Sequence, residues 1–163
     1  MKELIDHFKK LYEYASWFEG KENEIKTFNR PFHLSAKATP QYIKVSGRVI
    51  PKRDEGSYFT TVDELVDTNN TDKRFRITTT TYFSLKEASE SMLMGMIASV
   101  HFVRAGEECV PLSDLCFCNE RENPRVIVVL ADLTVVMVYS LGRSSNKDDL
   151  YKLASLIVTR IKG

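Results

Sequence analysis

The chain is poor in glycine, and its few glycines form no phosphate-binding motif. Seven glycines occur in 163 residues, and none belongs to a G-x-G-x-x-G sequence or to a P-loop. In those motifs glycine lets backbone N–H groups approach a phosphate closely. Their absence argues against kinase, nucleotide-dependent and dinucleotide chemistry.

Net charge is also small, because 23 Lys and Arg residues balance 22 Asp and Glu residues to leave +1. Proteins that hold nucleic acid or anionic membranes mainly by electrostatics carry a clear positive excess. Locally, Arg74 and Arg76 lie near Tyr82, and such patterns can stack on single-stranded nucleic acid. On a sheet, however, they are typical of an ordinary solvent-facing surface. We therefore expect no nucleic-acid partner.

Cysteine is scarce and odd in number. Cys109, Cys116 and Cys118 cannot all pair within one chain, which suits a reducing compartment better than a disulfide scaffold. The first ten residues are charged throughout and lack the apolar segment of a secretory signal. The expectation is a cytoplasmic protein, unless a signal peptide has been removed.

The most informative segment runs from Arg125 to Ser140, where β-branched and apolar residues fill both strand faces and only Asp132 interrupts them. A membrane-spanning helix needs about 20 mostly apolar residues, whereas β-branched residues favour strands. The pattern predicts two central strands joined by a tight turn near Asp132, and no membrane span. Because both faces are apolar, both must be covered, either by this chain or by a partner.

Three segments have the periodicity of amphipathic helices. The first ends near Gly20, the second runs from a capping box of Ser84 and Glu87 to about Val100, and the third begins at an Asn146 cap. Their apolar stripes are Leu4, Phe8, Leu11, Ala15 and Phe18; Leu85, Ala88, Met92 and Met96; and Leu150, Leu153, Ala154, Ile157, Val158 and Ile161.

Strand patterns lie between these helices. They cover Phe28 to Ala36, Tyr42 to Ile50, Tyr58 to Thr61, Arg74 to Phe83, His101 to Ala105 and Leu115 to Cys118.

Two of these strands carry finer signals. In Tyr42 to Ile50 we expect Ile43, Val45 and Val49 to share one face, with a bulge at Gly47. The strand that begins at Tyr58 is expected to end at Thr61, because Thr61 and Glu64 have capping-box spacing.

Strands follow one another through short turns instead of alternating with crossover helices. This order predicts an α+β fold, with a largely antiparallel sheet of about 5–7 strands and an N-terminal, a middle and a C-terminal helix packed on it. A single globular domain over residues 1–163 is expected.

No set of side chains has the spacing of a catalytic or metal site. Cys116 and Cys118 would share a strand face with Asp114, but structural zinc sites usually use C-x₂-C pairs and a second pair, which is missing here. His101 and Cys109 flank acidic residues, yet closeness in sequence does not bring a thiol and an imidazole together. We expect no catalytic residue, no metal and no cofactor, and we expect the three cysteines to be buried or half-buried free thiols.

These observations favour a non-enzymatic protein-binding module, most concretely a bacterial immunity or inhibitor-type protein. The partner-binding candidates are Tyr14, Trp17, Arg104, Glu107 and Glu108. Trp and Tyr are frequent at interface hot spots, and Trp17 is expected either as an exposed anchor or at the edge of the core. If helices of this chain cover only one face of the central hairpin, a homodimer or a stable complex must cover the other.

Two alternatives remain open. A small-ligand sensor or carrier would line its site with Met92, Met94 and Met96, since methionine adapts to irregular apolar ligands. Core packing explains Met92 and Met96 equally well. A thiol-dependent enzyme is the further alternative.

Overall fold

The computed structural model describes residues 1–19, 32, 34, 41–51, 57–99, 101–106, 109–143 and 146–163, and within these ranges the side chains of residues 51, 57–59 and 99 are not described. The described elements, in chain order, are α1 (Lys2–Leu11), a 3₁₀ turn (Tyr14–Ser16), β1 (Tyr42–Pro51), β2 (Ser57–Asp67), β3 (Arg74–Tyr82), α2 (Leu85–Ser99), β4 (Val103–Arg104), β5 (Leu115–Cys118), β6 (Val126–Ala131), β7 (Thr134–Ser140) and α3 (Lys147–Lys162).

The strands form one seven-stranded sheet in the order β1-β2-β3-β7-β6-β5-β4. Every neighbouring pair is antiparallel, which confirms the predicted α+β class. The central hairpin turns at Asp132, whose φ of 52° is left-handed, a conformation that Asp tolerates better than most residues. The Asp114 carboxylate holds this turn by accepting a hydrogen bond from the Asp132 N–H at 2.7 Å.

Helix α3 covers one face of the central strands. Its predicted cap is confirmed, because Asn146 and Asp149 exchange side-chain-to-backbone hydrogen bonds in a capping box. Ile157 and Val158 are fully buried against Val129 and Val138 of the hairpin. The predicted stripe is buried throughout except at Ile161, which packs at its margin.

Helix α2 and the N-terminal segment cover the opposite face. Met92 and Met96 of α2 pack with Phe117 and Leu130 of the sheet, and Trp17 joins the same cluster. Elements of this chain therefore pack on both faces of the central hairpin, although Met137 and Tyr139 on the α2 side stay half-buried. The condition under which a partner would be required, helices on only one face, is therefore not met, and the homodimer remains a prediction without that reason.

The N-terminal helix is shorter than predicted and buries different residues. It ends at Leu11 because Glu13 adopts a left-handed conformation with φ of 56°. Leu4 and Leu11 are almost half exposed, whereas Tyr12 and Trp17 are buried. The predicted stripe was right at Phe8 and Phe18, which pack against the core, and wrong at its other members, which are exposed. After Leu11 the chain changes direction and buries two other aromatic rings instead.

The strand signals at the start of the sheet also need correction. β2 continues through Thr61 and Glu64, so the capping-box spacing there marks no helix; the Thr61 hydroxyl instead contacts that of Thr79 on β3. The strand predicted from Phe28 to Ala36 lies outside the described residues, apart from Phe32 and Leu34, which pack on the α3 side of the core.

Strand β1 contains a bulge, but two positions before the predicted Gly47. The register shifts between Lys44 and Ser46, which leaves Val45 as the extra residue and reverses the alternation after it. Ile43 and Val49 therefore face opposite sides of the sheet, and the shared apolar face predicted for them was wrong.

Among the described helices, none combines the length and apolar content that a membrane crossing requires.

Candidate functional site

In the described part of the chain, the helices cover the middle of the sheet and leave its β1–β2 end open. Helix α3 packs on β6 and β7, and the main sheet contacts of α2 are with β3, β6 and β7. Strands β1 and β2 form the edge beyond them. On the α2 side of this edge lies an open groove of about 660 Å³, within the roughly 300–1,000 Å³ typical of ligand sites.

The groove has a sheet floor and a helix wall. Described residues of the floor are Ser46, Gly47, Arg48, Val62, Glu64, Arg76, Thr78, Met137 and Tyr139, and the wall is formed by Gly95 and Ala98 of α2. A Cβ atom added at Gly95 would meet no atom within 4 Å. The small wall residues thus leave the space above the floor empty.

Strand register explains why these side chains share a face, because directly paired residues in a sheet lie on the same side. Two rows cross the floor from the edge inward. The first row is Ser46, Glu64, Arg76 and Tyr139, and the second is Arg48, Val62, Thr78 and Met137. Each row begins with an exposed polar residue of β1 and ends with a half-buried residue of β7.

The bulge in β1 places Ser46 and Arg48 on the groove side. On the other side of the same strand, Lys44 Nζ lies 2.8 Å from Asp63 Oδ1 and donates a hydrogen bond to the Leu34 carbonyl at 3.3 Å. The Lys44 side chain crosses directly over Gly47, where a Cβ would overlap it and approach Asp63 Oδ1 to 2.7 Å. A side chain at position 47 would therefore have to displace the ion pair of Lys44 and Asp63.

Positive charge dominates the described part of this sheet face. Arg76 pairs with Glu64 at 3.1 Å, but both side chains are partly exposed, so the pair contributes less than about 1 kcal/mol. Arg48 is exposed, and no ion pair involves it among the described residues. Arg74 lies on the same face two residues before Arg76. The face of β1–β3 thus presents three arginines and one glutamate in the described residues.

The groove floor also has an apolar part. Val62, Met137 and Tyr139 are half-buried, and the Tyr139 hydroxyl donates to Met137 Sδ at 3.4 Å. Their uncovered surfaces lie between the arginines and α2. An arrangement of this kind can hold an apolar group and a carboxylate at the same time.

The partner-binding candidates from the sequence are not brought together. Trp17 is only 2% exposed, and its indole N–H donates a hydrogen bond to the Tyr12 carbonyl at 2.8 Å. The ring is therefore part of the core and is not an exposed anchor. Tyr14 packs on Trp17 and hydrogen-bonds Ser89. Arg104 is exposed at the far end of the sheet, over the Phe117 ring. Glu107 and Glu108 lie outside the described residues.

The methionine candidates have different environments. Met92 and Met96 are buried in the core under α2, whereas Met94 is 40% exposed on the outer side of the helix. They therefore do not line a common site. Packing accounts for Met92 and Met96.

The three cysteines gather near Tyr151 on the α3 side of the sheet. Burial raises the pKa of the Cys116 thiol well above its usual value, and neighbouring Cys118 and Cys109 raise it further. Burial also raises the pKa of Cys118. Protonated thiols are poor nucleophiles and poor metal ligands. In the described part of the chain, no three His, Cys, Asp or Glu side chains are grouped so that they could hold a metal ion.

Sequence reasoning missed most of the groove. The sequence indicated Arg76 only as part of a basic pattern, and it did not single out Arg48 as a site residue. Gly95 and Ala98 are small residues three positions apart on α2 and lie outside its apolar stripe. They were the sequence feature that could have indicated a gap between this helix and the sheet. Comparison with protein-family models, curated proteins and solved structures found no match to this chain.

Proposed function

We propose that this protein is a non-enzymatic binding module that holds a segment of a partner protein in the groove between the sheet edge and α2. The observation that supports it is the uncovered floor. Val62, Met137 and Tyr139 are only half-buried, although most residues of β6 and β7 are buried. Arg, Tyr and Met are enriched in interface cores, and all three types meet here.

A bacterial immunity or inhibitor-type protein is the most specific form of this proposal. Such a protein needs a complementary surface and no reacting groups. The raised pKa values of Cys116 and Cys118 favour it over a thiol-dependent enzyme, and three free cysteines suit a reducing compartment such as the cytoplasm.

A small-ligand carrier is the second candidate, supported by the groove volume. The ligand would lie on Met137 and Tyr139, since Met92 and Met96 are enclosed in the core. An open groove with arginines at its rim suits a chain segment better than a small apolar molecule, because pockets for small molecules bury most of their ligand.

Site-specific photo-crosslinking tests the proposal. A photoreactive amino acid replaces Ser46 at the groove rim, and a matched variant carries it at Lys152, which is exposed on α3. After irradiation in cells that express the protein, the Ser46 variant should yield a discrete larger species, identified by mass spectrometry. Ala98→Trp, which fills the groove from the helix wall, should abolish that species.

Two outcomes would contradict the proposal. One is equal crosslinking from Ser46 and Lys152, and the other is a Ser46 product that persists in Ala98→Trp. Native mass spectrometry of the purified protein distinguishes the small-ligand carrier from the protein-binding module. A carrier should retain a bound small molecule, and the Ala98→Trp variant should lose it. For the inhibitor form, the crosslinked partner should be an enzyme or toxin whose activity is lost in the complex.

A further inference from the structure

We infer that the partner segment is acidic and extended, with a carboxylate side chain paired to Arg48 and apolar side chains that pack along the row of Val62, Thr78 and Met137. This inference rests on the proposed function and adds the chemistry of the partner. It concerns one surface, the groove floor defined above, and one class of occupant, a peptide segment.

The charges of the groove floor favour a partner segment that carries a carboxylate. Arg76 already contacts Glu64, whereas Arg48 makes no ion pair with any described residue. A guanidinium binds a carboxylate through two parallel hydrogen bonds, a geometry that lysine lacks. A neutral or basic segment would leave Arg48 unpaired beneath it, at a cost in desolvation.

The spacing of the second row defines the sequence pattern of the occupant. Neighbouring strands lie about 4.8 Å apart, so the three steps from Arg48 to Met137 span about 14 Å. In an extended segment, side chains on one side recur about every 6.7 Å. A carboxylate above Arg48 therefore places the next two inward-facing side chains between Val62 and Thr78 and above Met137. The predicted pattern is acidic-x-apolar-x-apolar.

A single-stranded nucleic acid fits this surface less well. Its bases would need several exposed aromatic rings for stacking, but Tyr42 and Tyr82 are buried, and the described ring on the groove floor, Tyr139, is half-buried. Arg76 is already paired with Glu64, which leaves fewer cations on the floor for a continuous chain of phosphates. The arginines are thus better matched to a separate carboxylate than to a phosphate chain.

Titration of the isotope-labelled protein, followed by NMR amide shifts, tests the inference. The probes are three short synthetic peptides with the pattern Glu-x-Leu-x-Leu, its Gln counterpart and its Lys counterpart, together with an oligothymidine. The Glu peptide should shift amides of β1, β2, β3 and the end of α2. The Gln peptide should bind about tenfold more weakly, and the Lys peptide weaker still.

Arg48→Gln should weaken the Glu peptide by the same factor and leave the Gln peptide unchanged. Arg160→Gln is the matched control, because Arg160 is exposed on α3 at the other face of the sheet; it should change neither affinity. The amide spectrum of each variant verifies that the fold is retained.

Each remaining outcome overturns the inference. Equal affinity of the Glu, Gln and Lys peptides for the groove would show that charge does not select the partner, while the proposed function stands. Tighter, Arg48-dependent binding of oligothymidine would assign the face to nucleic acid and contradict both proposals. If no peptide shifts a groove residue, the acidic pattern is wrong; the crosslinking at Ser46, which does not depend on the charge of the partner, then judges the proposed function alone.

Discussion

Replacement of Lys44 by Met should destabilise the protein far more than a surface charge would. Lys44 is the ion-pair partner of Asp63, which is 1% exposed. The other carboxylate oxygen of Asp63, Oδ2, is buried and has no hydrogen-bond partner in the described part of the chain. Without Lys44, the Asp63 carboxylate would be a buried negative charge without a counter-ion.

The magnitude follows from the geometry of the pair. At the observed 2.8 Å and an effective dielectric constant of about 20, the attraction between the two charges is about 6 kcal/mol. Desolvation of both ions offsets much of this gain, so the intact pair contributes little net stability. Removal of one partner, however, costs about 3–5 kcal/mol, a large part of a total stability of about 5–15 kcal/mol.

Urea unfolding followed by circular dichroism measures this cost, provided that the dependence of stability on urea concentration is unchanged. The Lys44→Met variant should lose about 3–5 kcal/mol, whereas the double variant with Asp63→Leu should come within about 1 kcal/mol of the original. A loss below about 1 kcal/mol in the single variant, or a double variant no more stable than the single one, would refute the assignment of a buried, mutually dependent pair.

Three further predictions concern the rest of the scaffold. Ile157→Ala should cost about 2–5 kcal/mol, because Ile157 is fully buried under α3; an unchanged melting temperature would contradict that packing. Gly47→Ala should cost about 1–3 kcal/mol through the clash with Asp63, whereas Gly95→Ala, which meets nothing within 4 Å, should stabilise α2 by about 0.8 kcal/mol; equal effects in urea unfolding would argue against the close approach at position 47. Lys162 forms ion pairs with Asp114 and Asp132. Burial lowers the pKa of Lys162, but the hydrogen bonds and negative charges of these two carboxylates outweigh burial and raise the pKa above 10.5. The ion pairs of Lys162 therefore stabilise the fold fully below that pH and less as pH rises through the higher folded value. Lys162→Met should lower stability by about 1 kcal/mol at neutral pH, and the difference from the original should shrink above about pH 10.5; a difference that grows at high pH would contradict this sign.

Elements with strong local signals were predictable from the sequence. The hairpin of β6 and β7 follows from two β-branched runs on either side of Asp132, and α3 follows from a complete apolar stripe behind an Asn cap. In these segments the backbone preference, the burial pattern and the capping or turn residues all favour the same secondary structure. Tertiary packing therefore stabilises a conformation that the local sequence already prefers. The α+β class follows from the order of such elements.

The N-terminal segment and the groove were decided by tertiary structure. The stripe of α1 predicted Leu4 and Leu11 as buried, but the left-handed turn at Glu13 lets Tyr12 and Trp17 fill the space above Phe117, and no local pattern indicates which rings fit there. The groove depends on β3 pairing with β7, a contact between strands distant in the chain, and on helices that reach only part of the sheet. Local sequence determines which residues can lie on a strand face; only the packing of distant elements determines which of those faces stays open.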